Sequence, residues 1–115
     1  MVTSEMVEEH FDRSIGYIKM QNMGLTTIPD FCTLVAREDH AIVTNINLSN
    51  NAIRVLDQDL SCFVNLKKLN LSYNQIQVVA SLGELPKLQE LLLHKNEIKT
   101  TENFPQYPAL QRLSL

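Results

Sequence analysis

The sequence has little of several things. Aromatic residues make up 6% of it, and there are only three glycines, four prolines and two cysteines. Three glycines and no phosphate-cradling loop leave nothing to build a nucleotide-binding turn. Few aromatics beside 44% hydrophobic residues suit a thin aliphatic core rather than a bulky one. No apolar run reaches the roughly 18 residues that a membrane-spanning helix needs. The N-terminus carries Glu5, Glu8, Glu9 and Asp12 and has no basic start followed by an apolar stretch, so it does not read as a signal peptide. The net charge of −3 predicts neither a nucleic-acid nor a membrane partner strongly. Cys32 and Cys62 fall in no recognisable motif. A chain of 115 residues is one domain.

What is present is periodicity. Between Leu66 and Leu88, the residues Leu69 and Leu71 stand two apart, the step of a strand showing one face inward. After Asn74 the step becomes three, through Ile76, Val79, Leu82 and Leu85, as in tight 3₁₀-like or helical turns. A strand, a bend and a winding return make one coil, and the coil recurs. Leu88, Leu91, Leu93, Asn96, Ile98, Thr101, Phe104 and Tyr107 repeat it, and so do Val43, Ile46, Leu48, Asn51, Ile53, Leu56, Leu60 and Phe63. Ile15, Ile18, Met20, Met23, Leu25 and Ile28 form a weaker first copy with Met23 in the asparagine position. Leu110, Leu113 and Leu115 open a fifth.

The pattern LxxLxLxxNxI, carried three times almost in full, resembles the leucine-rich-repeat family. The 22-residue copies, Leu66 to Leu88 and Leu88 to Leu110, resemble its intracellular type. That type occurs in protein-phosphatase-1 regulatory subunits, the spliceosomal snRNP A-prime protein and an axonemal dynein light chain. The resemblance covers residues 15–115 and implies an α/β fold. It would be a right-handed solenoid with a parallel concave sheet of about five strands and a helical or 3₁₀ convex side. Repeats would start near residues 15, 43, 66, 88 and 110, the last incomplete.

Each coil is too small to fold alone and needs its neighbours. Asn51, Asn74 and Asn96 stand where the chain leaves the strand. There an amide that both donates and accepts can satisfy backbone groups off the ladder, so the three are expected to form a buried structural ladder. Residues 1–14 are expected to hold a capping helix over 3–14, with Thr3 or Ser4 as N-cap and Met6, Val7, His10 and Phe11 on one face. Residues 30–39 read as a true convex helix, with Asp30 as N-cap after Pro29. The last strand would expose an open edge, and the expectation is that further repeats or another chain cover it.

Alternation places Tyr17, Lys19 and Gln21, then Asn45, Asn47 and Ser49, then Lys68, Asn70 and Ser72, then Glu90, Leu92 and His94, then Arg112 and Ser114 on the open face of the sheet. Asn22, Asn50, Tyr73 and Lys95 stand at the strand exits. The face reads as polar and mildly basic, with Leu92 as an exposed apolar spot. The family's habit of binding through the concave side implies a non-catalytic adaptor. Tyr17, Lys19, Asn47, Lys68, Asn70, Tyr73, Leu92, His94 and Arg112 would then meet a protein partner. A second reading is an RNA-associated adaptor using Lys19, Lys68, Lys95 and Arg112, and a third is the recognition part of a larger signalling enzyme. No metal, cofactor or membrane is expected. His94 and Glu90 lie about 13 Å apart along one strand, too far to share a metal. A Ser72 or Ser114 pairing with His94 would lack an orienting group. The Cys-rich flanks of secreted members are missing, so Cys32 and Cys62 are read as reduced thiols of a cytoplasmic protein, with nuclear or axonemal placement as alternatives. The sequons at Asn47 and Asn70 agree, because glycans there would block the open face.

Overall fold

The computed structural model describes residues 1–99 and 104–115. In chain order the elements are α1 (Ser4–Glu9), β1 (Phe11–Asp12), β2 (Tyr17–Lys19), α2 (Phe31–Leu34), a 3₁₀ segment (Arg37–Ile42), β3 (Asn45–Asn47), β4 (Val55–Leu56), β5 (Lys68–Asn70), β6 (Val78–Val79), β7 (Glu90–Leu92) and β8 (Arg112–Ser114). Strands form where apolar residues stand two apart. They stack as β1-β2-β3-β5-β7-β8, parallel from β2 onward. Ile18, Ile46, Leu69, Leu91 and Leu113 share one register position, so the repeat spacing sets the pairing. The ladder runs past the nominal strand ends. Met20 N–H donates to the Asn47 carbonyl at 2.9 Å, and Leu48, Leu71 and Leu93 repeat the bond at 2.8 Å.

The core lies between this sheet and the returning segments. Met20, Leu48, Leu71 and Leu93 come from the strand ends, Ile53 and Ile76 from the bends, and Leu60, Phe63, Leu82 and Leu85 from the returns. Thr101, the return residue of the fourth coil, lies outside the described residues.

Several expectations are corrected. The N-terminal helix stops at Glu9, capped by the Thr3 hydroxyl, which accepts from Met6 N–H at 3.2 Å. Phe11 and Asp12 instead pair antiparallel with Ile18 and Tyr17. The hairpin satisfies the outer edge of β2, which a helix could not do, and Lys19 N–H donates to the His10 carbonyl at 2.9 Å. Val7 and Phe11 are buried as the expected face requires. Ile15 is not buried, because it sits in the hairpin turn, 61% exposed.

The helix over 30–39 breaks after Leu34. Val35 and Ala36 are extended, Val35 enters the core, and the Val35 carbonyl accepts from His40 Nε2 at 2.9 Å. Asp30 makes no side-chain cap. The return segments, expected as 3₁₀ turns, contain β4 and β6, which pair parallel as a second two-stranded sheet.

Cys32 and Cys62, expected as separate thiols, form a disulfide with Cα atoms 5.8 Å apart. Cys32 stands 17 residues past Ile15 and Cys62 19 past Val43, so they occupy nearly matching places on neighbouring coils.

Candidate functional site

The open face of the sheet is a regular array. One row reads Tyr17, Asn45, Lys68, Glu90 and Arg112, and the next Lys19, Asn47, Asn70, Leu92 and Ser114, as alternation predicts. Three local groupings arise. Asn47 Nδ2 donates to the Tyr17 hydroxyl at 3.2 Å. His94 Nδ1 and Ser114 Oγ are hydrogen-bonded at 2.9 Å, and the Tyr73 ring stands edge-on to His94 with centroids 5.6 Å apart. Glu90 Oε2 lies 3.9 Å from Lys68 Nζ and 4.0 Å from Arg112 Nη1.

Two readings of this face change. It is less basic than expected, because Glu90 stands between Lys68 and Arg112 and neutralises part of their charge. Its place in their row was the signal. Leu92 is not an exposed spot, being 7% exposed. It belongs to the open face and not to the core cluster, so its neighbours on that face cover it. Alternation gives a side chain its direction and not its exposure. Tyr73, 50% exposed, is a large exposed ring beside His94.

Asn47 and Asn70 explain their own sequons. Each Oδ1 accepts from the backbone N–H and the hydroxyl of the serine two residues on, at 3.0 and 2.7 Å for Ser49 and 3.1 and 2.6 Å for Ser72. The Asn-Leu-Ser triplets are local Asx turns that tuck Ser49 and Ser72 into the sheet, where both are buried.

Beside the face runs a row of left-handed residues, Asn22, Asn50, Tyr73 and Lys95, with φ of 57–61°. Behind it lie the asparagines. Asn74 Oδ1 accepts from Ile53 N–H at 3.1 Å, and its Nδ2 donates to the carbonyls of Leu48, Leu71 and Ser72 at 3.0, 3.0 and 3.2 Å. Asn96 does the same to Ile76 N–H and to Leu71, Leu93 and His94. Asn51 accepts from both Met23 and Leu25 N–H and donates to Met20, Leu48 and Ser49. The ladder is therefore indirect: each amide bonds backbone of its own coil and of the coil before, not the next asparagine. Met23 can replace asparagine because its coil follows none.

The sequence profile of the leucine rich repeat family matches residues 42–98. This chain is a leucine-rich-repeat protein. Among the relatives of this leucine-rich-repeat chain is MAP kinase phosphatase with leucine-rich repeats protein 1 of Dictyostelium discoideum. It is 39% identical over 84 residues, which is 70% of the chain and 10% of the relative. Geranylgeranyl transferase type-2 subunit alpha of Rattus norvegicus is 33% identical over 86 residues, 75% of the chain and 15% of the subunit. Leucine-rich repeat-containing protein 51 of Bos taurus is 36% identical over 93 residues, 76% of the chain and 48% of the relative. The chain thus spans between a tenth and about half of these relatives. No solved structure matches it.

Chemically, the leucine-rich-repeat face offers hydrogen bonds, a shared ion-pair group and one exposed ring. The Ser114–His94 pair has no carboxylate bonded to it among the described residues. Among those residues there is also no group of three or more His, Cys, Asp or Glu side chains that could hold a metal, and no helix long and apolar enough to cross a membrane.

Proposed function

We propose that this leucine-rich-repeat chain is a non-catalytic interaction module. Its coils wind right-handed, the sheet lines the concave side, and that side binds a protein partner. The observation that carries the reading is the register: five parallel strands hold their open-face side chains in fixed rows, pinned by two Asx turns and by Asn51, Asn74 and Asn96 at three of the bends. A preformed face loses little freedom on binding, which favours recognition of a folded partner. Leu92 lies within this face as packing. The contact-making groups are Tyr17, Lys19, Asn47, Lys68, Asn70, Tyr73, His94 and Arg112.

The test is capture from lysate with the wild-type chain against Lys19→Glu/Tyr73→Asn/Arg112→Glu. All three residues are exposed, so circular dichroism should match the wild type. Loss of a partner in the folded variant supports the reading. Equal capture by both places function elsewhere.

The relatives' names support the third reading too, since one is a phosphatase and another a transferase subunit, each with a repeat region like this one. The chain would then be the recognition part of a larger enzyme. The RNA reading is weaker, because Glu90 engages Lys68 and Arg112 and leaves Lys19 and Lys95. Two phosphate contacts give a single-strand salt slope of about −1.4 against about −2.8 for four. A cytoplasmic, nuclear or axonemal location is supported by sequons that serve as structural turns. The Cys32–Cys62 bond pulls the other way, since disulfides persist in oxidising compartments. Imaging of the tagged chain decides between them.

A further inference from the structure

We propose that the flank where the strands begin is a second docking surface, which takes an acidic peptide segment of a protein partner carrying an aliphatic anchor. It does not depend on the open-face reading. The surface is a groove of about 420 Å³ between the β1–β2 turn, the end of the 3₁₀ segment and the turns leading into β5 and β7.

Its floor follows from one glycine. Gly16 has φ +67° and is buried, and a Cβ there would stand 1.9 Å from the Ile42 carbonyl oxygen. That close passage puts Ile15 and Ile42 in the same groove, 61% and 39% exposed. Single exposed aliphatics are ordinary, but two lining one groove with a charged rim have the form of an anchor site.

The rim sets the occupant. Lys67 and Lys87 line the groove, and no Asp or Glu does, in a chain of net charge −3. Arg13 also lines it, but its guanidinium is engaged by Glu8 at 2.6 Å and Asp39 at 3.0 Å. Neither lysine is in an ion pair among the described residues. Lys87 is also held in place. Its Nζ donates to Asn65 Oδ1 at 2.7 Å, and Asn65 Nδ2 donates to the Ala41 carbonyl at 2.7 Å. Two available ammonium groups over two isoleucines complement carboxylates flanking an aliphatic side chain. A nucleic acid fits worse, since no aromatic ring lines the groove to stack a base.

The experiment is a ¹⁵N–¹H titration of the 115-residue chain with an acetylated, amidated Glu-Asp-Leu-Leu-Asp-Glu peptide. The controls are the same peptide with lysine for each acid and a thymidine octanucleotide. The expected result is shifts at the amides of Ile15, Ile42, Lys67 and Lys87 with the acidic peptide alone. Lys67→Glu/Lys87→Glu should weaken binding by about tenfold or more, and Ile42→Ser should weaken it as well. Lys19→Glu/Arg112→Glu, on the open face, should leave it unchanged, and the spectra show directly whether each variant is folded. No shifts, shifts centred on the open face, equal binding of either control, or unchanged binding by the flank variants would overturn the proposal.

Discussion

Replacing Asn74 with alanine removes one small side chain, orphans one backbone N–H and takes a donor from three carbonyls that each keep another. Ile53 N–H loses its acceptor, and the Leu48, Leu71 and Ser72 carbonyls lose a donor. The amide has two hydrogens for three carbonyls, so one bond is shared, and the loss amounts to about three hydrogen bonds of roughly 1 kcal/mol each. Asn74 is 7% exposed, so water reaches the site poorly, and a buried unpaired N–H adds about 1–3 kcal/mol. The expected cost is about 4–6 kcal/mol, out of a total near 6–17 kcal/mol for a chain of this length. Urea denaturation followed by far-ultraviolet circular dichroism measures it. Asn96→Ala should cost less, because Asn96 is only half-buried and reaches the His94 carbonyl at 3.4 Å. Asn74→Asp keeps the acceptor for Ile53 but turns a carboxylate toward three carbonyls. It should lose at least as much at neutral pH and regain part on acidification, when the protonated carboxyl can donate once. A cost below about 1 kcal/mol for Asn74→Ala would refute the view that this amide holds two coils together.

Three further outcomes are expected. The disulfide closes a 30-residue separation, and the chain-entropy estimate for such a loop is about 3–4 kcal/mol. Cys32→Ser/Cys62→Ser, or wild type in dithiothreitol, should therefore melt some ~10–15 °C lower, whereas a melting point indifferent to reductant would contradict the bond. Tyr73→Asn and Lys95→Asn place a residue tolerant of the left-handed region at φ 57° and 61° and should each raise stability by about 0.5–1 kcal/mol, measured by denaturation. Burial pushes the Tyr107 phenol up to about 12. Its neutral form is favoured in the fold, so stability holds below the ordinary phenol value of about 10 and falls as pH rises from there through about 12. Tyr107→Phe should abolish that alkaline loss. It should also cost nothing at neutral pH, since among the described residues the hydroxyl meets no partner.

The repeat spacing made the sheet legible. A leucine ladder with an asparagine in each of the three full copies fixes phase, so the spacing alone places Tyr17, Asn45, Lys68, Glu90 and Arg112 in one row. What it could not carry is what happens where phase is lost. Phe11 leaves the helical face because β2 needs an edge partner, a demand set by a strand six residues downstream and not by local propensity. The polar turn ending at Gly16 was the available hint. Val35 breaks its helix to reach the core. The cysteine pair was readable only by overlaying the long first coil on the second, where helix and 3₁₀ segment stretch the spacing to 28 residues. Leu92 shows the remaining limit: its direction followed from alternation, and its cover came from the other side chains of its face.

The asparagines also say where such a chain can be cut and rejoined. Because Asn51, Asn74 and Asn96 each accept from backbone N–H groups one coil upstream, a coil excised at its strand start leaves behind a predecessor with an orphaned bend. A segment from Gln75 through Asn96 carries both the Ile76 N–H and the amide that accepts from it. The interchangeable module is thus offset from the visible repeat by several residues, and grafts made on asparagine boundaries should keep this pairing intact where grafts made on leucine boundaries split it.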